Sequence, residues 1–156
     1  MKKLALLILS LIFIVGFSRP AFPQSNTTMQ DIFETINKKV IDLEETQNQE
    51  VVNVTFDLIV GTNKKVVLRF LDPAFAYNIS VIGDRRISKV KIGVRKKGDA
   101  DWEYVDEMSG EKPTLRVEPT GYDQYEFTIS VDQFKGDNTT GHFALLLYHK
   151  NPERGN

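Results

Sequence analysis

Residues 51–71, VVNVTFDLIVGTNKKVVLRFL, decide the fold class of this chain. In its first half, apolar side chains occupy every second position: Val52, Val54, Phe56, Leu58 and Val60. Side chains of a β-strand point alternately to its two faces, so this period of two predicts a half-buried strand. Residues 61–64 (GTNK) form a turn, after which Val66 to Leu71 return as a second strand.

The rest of the chain continues in the same way. Six further segments lie between Gly, Pro and Asp turns and predict strands at about 77–81, 89–96, 102–107, 114–117, 125–131 and 141–149. The apolar centre of the last segment, Phe143 to Tyr148, indicates burial on both faces. Eight strands at this spacing predict an all-β fold, an antiparallel β-sandwich over residues 51–150.

Residues 30–47, before the first strand, have a helical period instead. Spacings of three, four and three place four apolar residues on one stripe: Phe33, Ile36, Val40 and Leu43. The segment predicts an amphipathic α-helix packed on the sandwich. A helix that binds a partner or a second copy is the alternative.

The N-terminal residues have the layout of a secretory signal peptide. Two lysines precede an apolar run at residues 4–17, which is shorter than the roughly 20 residues of a membrane-spanning helix. We expect a signal peptide over residues 1–18 and a disordered leader over residues 19–29; an uncleaved signal anchor is the alternative. The expected location is the periplasm or, after secretion, the cell surface. Contact with the membrane is expected only transiently, through the signal peptide.

The composition excludes several classes of function. The chain of 156 residues has no cysteine, and the part after residue 18 has 18 basic against 21 acidic residues. This balance does not favour nucleic-acid binding, which requires a basic face. Without cysteine, neither disulfides nor thiolate metal sites can hold the domain together, which for an exported domain fits a Gram-negative periplasm or cell surface.

The sequence predicts no catalytic residue, no metal and no cofactor. His142 and His149 are seven residues apart on one predicted strand, and an odd separation places their side chains on opposite faces. The G-x-S-x-G motif of serine hydrolases is absent from the sequence. Carboxylates crowd residues 99–111, where a calcium loop or a glycosidase-like acid pair is the alternative to a solvated hairpin edge.

Aromatic residues of the second half are the candidate ligand-binding residues: Trp102, Tyr104, Tyr122 and Tyr125. Exposed together, they would form a platform for sugar rings, because aromatic faces suit flat apolar ligands. Core packing is the alternative explanation.

A basic stripe on the fourth strand suggests contact with anionic polysaccharide or lipid headgroups; it consists of Lys89, Lys91, Arg95 and Lys97. The acidic fifth strand predicts that this stripe is neutralised within one hairpin. A three-residue turn at residues 98–100 sets Arg95 opposite Glu103 and Lys91 opposite Glu107. A bulge is expected near Asp106, which would otherwise face the core.

Four motifs of the second half mark turns and strand starts: Ile82-Gly83-Asp84-Arg85-Arg86-Ile87, Gly121-Tyr122, Phe134-Lys135-Gly136 and Gly141-His142-Phe143-Ala144-Leu145-Leu146. Together they are similar to motifs of bacterial pre-peptidase C-terminal-like domains, over about residues 51–150. The resemblance implies a small jelly-roll sandwich that serves exported proteins as an accessory module rather than a catalyst. These domains commonly have an acidic pair after the Gly-Asp turn, but here Lys89-Val90-Lys91 occupies that stretch, so the resemblance implies no cation-related role for it.

These observations predict an exported, non-enzymatic accessory or binding protein of the cell envelope. Its expected partner is an envelope protein or a polysaccharide. One alternative is a carbohydrate- or envelope-binding module that uses surface aromatics, and another is a small carboxylate-dependent hydrolase.

Overall fold

The computed structural model describes residues 28–154, which form one α-helix and eight β-strands. Helix α1 spans Thr28–Ile41 and continues into a π-helical turn at Asp42–Thr46. The strands are β1 Gln49–Val60, β2 Lys65–Leu71, β3 Tyr77–Gly83, β4 Ile87–Lys97, β5 Trp102–Gly110, β6 Thr114–Val117, β7 Asp123–Phe134 and β8 Thr140–Lys150. The predicted all-β sandwich preceded by one helix is confirmed. The predicted signal peptide and nearly all of the predicted leader lie outside the described residues.

The strands form two four-stranded antiparallel sheets in a jelly-roll arrangement. Sheet A has the order β1-β8-β3-β6, and sheet B has the order β2-β7-β4-β5. Strand β1 pairs with β8, β2 with β7, β3 with β6 and β4 with β5, so the chain is a long antiparallel ribbon folded over on itself. Apart from β4 and β5, consecutive strands therefore lie in different sheets. Gly61, with a φ of 56°, makes the tight turn from β1 towards β2.

Strand β8 is buried on both faces, as its apolar centre predicts. Every second residue from Phe143 to Leu147 points between the sheets and joins the core cluster of the sandwich. The intervening residues and Tyr148 point to the other face of sheet A, where they meet Ile32 and Ile36 of the helix. The domain thus has three layers, and β8 contributes to both apolar interfaces.

Helix α1 packs on sheet A through three residues of the predicted stripe, Ile36, Val40 and Leu43, with Ile32 in place of Phe33. Ile32, Ile36 and Leu43 are 1%, 3% and 0% exposed, whereas Phe33 is 60% exposed. The prediction that Phe33 shares the buried stripe is wrong. At 3.6 residues per turn, Ile32, Ile36 and Leu43 lie within an arc of about 40°, and Phe33 lies about 60° beyond it. Phe33 instead lies beside Phe56 of β1, with 6.0 Å between ring centroids.

Strand β1 turns its apolar face towards the helix rather than into the sandwich. Val54 and Phe56 pack against the cluster between the helix and sheet A. Asn53 and Thr55 point between the sheets, where Nη2 of Arg69 donates to Asn53 Oδ1 at 3.1 Å and to Thr55 Oγ1 at 3.2 Å. Alternation correctly predicted a strand, but it could not tell which of two layers its apolar face meets.

The register of the β4–β5 hairpin differs from the prediction. Lys97 lies opposite Trp102, and Arg95 lies opposite Tyr104 instead of Glu103. The reason is the turn, which contains four residues rather than three and is closed by a 2.8 Å hydrogen bond from the Gly98 N–H to the Asp101 carbonyl. A bulge then shifts the register between Arg95 and Val94 on β4, next to the position where one was expected.

A buried carboxylate fixes the turn between β3 and β4. The side chain of Asp84 is fully buried and accepts hydrogen bonds from the Arg86 guanidinium and from the His142 N–H, each at 2.8 Å. Burial opposes the charge of Asp84, but these hydrogen bonds outweigh it and lower the pKa of Asp84. Gly141 lies so close to the Ile87 side chain that a Cβ there would be 2.6 Å from it. Two of the four recognised motifs therefore hold one end of the sandwich together.

Candidate ligand-binding site

A trough crosses the outer face of sheet B, perpendicular to its strands. Every second residue of these strands points outward, and the register aligns them in rows. The central row consists of Val66, Thr128, Gly93 and Glu107, and the row on one side consists of Leu68, Glu126, Arg95 and Tyr104. Neighbouring strands lie about 4.8 Å apart, so a trough across four strands is about 14 Å long.

Small residues of the central row form the floor of the trough. Gly93 has no side chain, and a Cβ added to it would meet no atom within 4 Å. Thr128 lies opposite Gly93 on the next strand and offers a hydroxyl. The space above this floor is about 540 Å³ and is lined by Lys64, Val66, Lys91, Gly93, Val94, Arg95, Tyr104, Glu107, Glu126, Thr128 and Ser130.

Glu126 is the buried charge of the trough. Its side chain is only 10% exposed. Its Oε1 accepts hydrogen bonds from Arg95 Nε at 2.8 Å, from Arg95 Nη2, and from Thr128 Oγ1 at 3.1 Å. Within residues 28–154 no donor contacts Glu126 Oε2, and no acceptor contacts Arg95 Nη1. An acceptor and a donor with free hydrogen-bonding capacity therefore belong to one ion pair at the trough wall.

The β5 edge of the trough combines an exposed ring with an ion pair. Tyr104 is 68% exposed. Lys91 Nζ lies 2.8 Å from Glu107 Oε1, and this hydrogen bond raises the pKa of Lys91. The predicted contact between these two residues is thus present, although Lys91 lies opposite Ser109 in the ladder and reaches Glu107 diagonally.

The four predicted aromatic residues do not form one platform. Tyr104 alone lines the trough, and Tyr122, 69% exposed, stacks on Phe70 at the β2 edge with 5.6 Å between ring centroids. Trp102 is half-buried and has the cations of Arg95 and Lys97 over its ring, at 5.9 and 5.5 Å from the centroid.

The prediction that Tyr125 lies on the surface is wrong, and the alternative of core packing holds for this residue. It points between the sheets and is 3% exposed, and this burial raises the pKa of its phenol. It belongs to the core for the same reason as Phe127, two residues further along the same face of β7.

Two of the four cations of the basic stripe are paired with carboxylates, one with its predicted partner and one with a different residue. Arg95 pairs with Glu126 of β7 instead of Glu103, Lys91 pairs with Glu107, and Lys97 packs on Trp102. An additional cation on the inner face, Lys96, forms a 2.8 Å ion pair with Asp123. Among residues 28–154, Lys89 and Lys97 have no carboxylate partner, so the stripe is neutralised only in part.

The histidines lie on opposite faces of β8, as predicted. His149 stacks on Phe75 at 4.1 Å between ring centroids, and His142 Nδ1 lies 3.1 Å from Arg86 Nη2. Within residues 28–154, no three His, Asp or Glu side chains are grouped as metal ligands. Among the same residues, no helix has the length and apolar character needed to cross a membrane.

Sequence reasoning missed the residues that make the trough, above all Gly93, Glu126 and Thr128. A glycine within the apolar alternation of β4 was the available signal, because an interior strand glycine often marks a close approach to a ligand or another chain. Glu126 lies between two core residues, Tyr125 and Phe127, and only the strand order reveals that Arg95 is its neighbour.

Comparison with known proteins gives structural likenesses only. Neither the protein-family models nor the curated proteins gave a match. The crystal structure of a Yersinia pseudotuberculosis-derived mitogen (YPM) is 9% identical with a TM-score of 0.45, over 63% of this chain and 84% of that chain. A structure of Bacillus endospore appendages, described as a family of disulfide-linked pili, is 11% identical with a TM-score of 0.34, over 66% of this chain and 92% of that chain.

Proposed function

We propose that this protein is an exported, non-enzymatic binding protein of the cell envelope that holds its ligand in the trough of sheet B. The trough carries the proposal. Its floor has no side chain at Gly93, and its wall contains a carboxylate that is nine-tenths buried. Concave sites with a few convergent polar groups are the usual places where proteins bind small ligands. The accessory role of pre-peptidase C-terminal-like domains, which the turn motifs resemble, supports the same proposal.

The charges of the trough favour binding over hydrolysis. Glu126 is paired with Arg95, and Glu107 is paired with Lys91. A glycosidase needs two carboxylates that flank one scissile bond, whereas each carboxylate of the trough is held by the cation beside it. This geometry fits binding better than hydrolysis.

Export rests on residues 1–18, with their positive start and short apolar run. We expect the mature protein in the periplasm to begin at Arg19, which N-terminal sequencing of the purified protein checks. Intact Met1 on protein recovered from the membrane fraction would support the uncleaved anchor instead.

A matched pair of glycine substitutions tests the trough. Gly93→Leu occupies the floor, and Gly110→Leu adds the same side chain on the same hairpin, outside the trough. At both positions the new Cβ meets no atom within 4 Å. We expect the wild type and Gly110→Leu to be retained by the same immobilised fraction of bacterial envelope, whether polysaccharide, lipid or protein. Gly93→Leu should lose that retention at unchanged melting temperature. Equal retention of all three proteins would refute the proposed site.

A further inference from the structure

We infer that the ligand of the trough is an uncharged, polyhydroxylated oligomer, such as a neutral glycan chain, lying across the strands of sheet B. The inference rests on the proposed function, because it names the ligand class of the same trough. Three features of the structure lead to it: the free hydrogen-bonding atoms of the central ion pair, the exposed ring at one end, and the carboxylate buried in the wall.

The ion pair of Arg95 and Glu126 leaves one oxygen and one nitrogen without a hydrogen-bond partner among residues 28–154. Three hydrogen bonds converge on Oε1 of Glu126, while Oε2 receives none from residues 28–154. The Glu126 side chain is nine-tenths buried but Oε2 remains open, so a ligand that brings an O–H to it gains a charge-assisted hydrogen bond. Arg95 Nη1 can donate to the same ligand. Adjacent hydroxyls, which both donate and accept, match this pair of atoms.

The ring of Tyr104 lies in the same outward row as Glu126 and Arg95, at the β5 edge. It is 68% exposed and lines the trough. An exposed aromatic face next to hydroxyl-binding groups suits a sugar ring, which has an apolar face and a polar rim. The trough is about 14 Å long and crosses four strands, so it accommodates several linked rings rather than one.

The buried carboxylate selects against a polyanion. Arg95 and Lys91 are already paired with Glu126 and Glu107, and Lys64 lines the trough without an ion pair to any carboxylate of residues 28–154. An anionic ligand would bring negative charge next to the nine-tenths buried Glu126 carboxylate, and like charges at such a distance repel. A neutral ligand meets no such penalty.

Titration of soluble polysaccharides against the full mature chain tests the inference. The probes are neutral mixed-linkage glucan, xyloglucan and galactomannan, with alginate as the polyanion. We expect a neutral glycan to bind with an affinity that is the same at about 50 mM and about 300 mM NaCl, because no net charge is screened. Glu126→Gln should weaken this binding about tenfold, since it replaces a charged acceptor by a neutral one. Tyr104→Ala should weaken it about fivefold, and Tyr122→Ala, an equally exposed ring outside the trough, should not.

The outcomes separate this inference from the proposed function. If alginate binds in place of the neutral glycans, binds more weakly at high salt and gains affinity in Glu126→Gln, the ligand is a polyanion and the inference is overturned. If no polysaccharide binds while Gly93→Leu still abolishes retention by a lipid or protein fraction, the inference fails and the proposed site stands. If Gly93→Leu changes no binding at all, the proposed function fails. Tyr104 is exposed at an edge, so its variants report on binding even if Glu126→Gln loses stability.

Discussion

At the scale of single residues, Asp84 is the buried charge on which the β3–β4 turn depends. Asp84→Asn keeps the shape of the side chain but removes the charge that Arg86 faces. Breaking a buried pair in this way costs about 3 kcal/mol, so we expect the free energy of unfolding to fall by about that amount at pH 7. Urea unfolding followed by circular dichroism measures it.

The pH dependence of the same residue has a definite sign. Hydrogen bonds from Arg86 and the His142 N–H outweigh desolvation and lower the pKa of Asp84 in the folded state. The stabilisation is therefore complete above the unfolded pKa, about 3.9, and is lost as the pH falls through the lower folded pKa. We expect the stability difference between wild type and Asp84→Asn to shrink below about pH 4. A difference that grows on acidification would contradict the lowered pKa. Asp57→Asn is the control, because its pKa is also lowered but its ion pair with Lys65 is exposed.

Gly141 is the second residue whose identity the fold requires. A Cβ at this position would lie 2.6 Å from Cγ1 of Ile87, which is itself 4% exposed and cannot move aside. Gly141→Ala should therefore destabilise the protein by about 1–3 kcal/mol, the usual cost of overpacking. Gly110→Ala, where the new Cβ meets no atom within 4 Å, should be neutral or slightly stabilising. Thermal melts of the two variants compare them directly, and equal melting temperatures would be inconsistent with this close packing.

At the scale of elements, helix α1 forms a second hydrophobic core with the outer face of sheet A, separate from the core between the sheets. Ile36 is 3% exposed between α1 and sheet A, and Phe33 is 60% exposed one turn earlier. Ile36→Ala should lower the free energy of unfolding by about 2–4 kcal/mol. Phe33→Ala removes a larger side chain but should cost under about 1 kcal/mol, because most of that side chain is already in water. Chemical denaturation of both variants tests whether Phe33 lies outside the buried stripe to which Ile36 belongs.

The existence of each element was predictable from the sequence, whereas the relations between elements were not. The period of two in β1 and the unbroken apolar run of β8 depend on local burial, which a sequence records directly. The outward turn of the β1 apolar face depends on a helix that covers sheet A, and the pairing of Arg95 with Glu126 depends on β7 lying beside β4. These contacts depend on the order of the strands in each sheet, which cannot be read from the local pattern of apolar residues. One extra residue in the β4–β5 turn was sufficient to shift the register next to that turn.

At the scale of the whole molecule, the outer faces of the two sheets differ in what covers them. The helix covers the outer face of sheet A and completes the second core, while the outer face of sheet B is open to solvent and contains the trough. In the function that we propose, scaffold and binding surface are thereby separated. Substitutions at Gly93 or Tyr104 should change binding without changing stability, and substitutions at Ile36 or Gly141 should do the reverse.

The most direct test of the proposed site maps the bound ligand onto this architecture. In a titration with a binding envelope polysaccharide, followed by ¹H–¹⁵N NMR spectra, we expect the largest shifts at the amides of Gly93, Arg95, Glu126 and Thr128. The amides of Ile36 and Leu146, on the opposite side of the domain, should remain unchanged. Shifts confined to α1 and the helix side of sheet A, with the trough amides unmoved, would contradict the account.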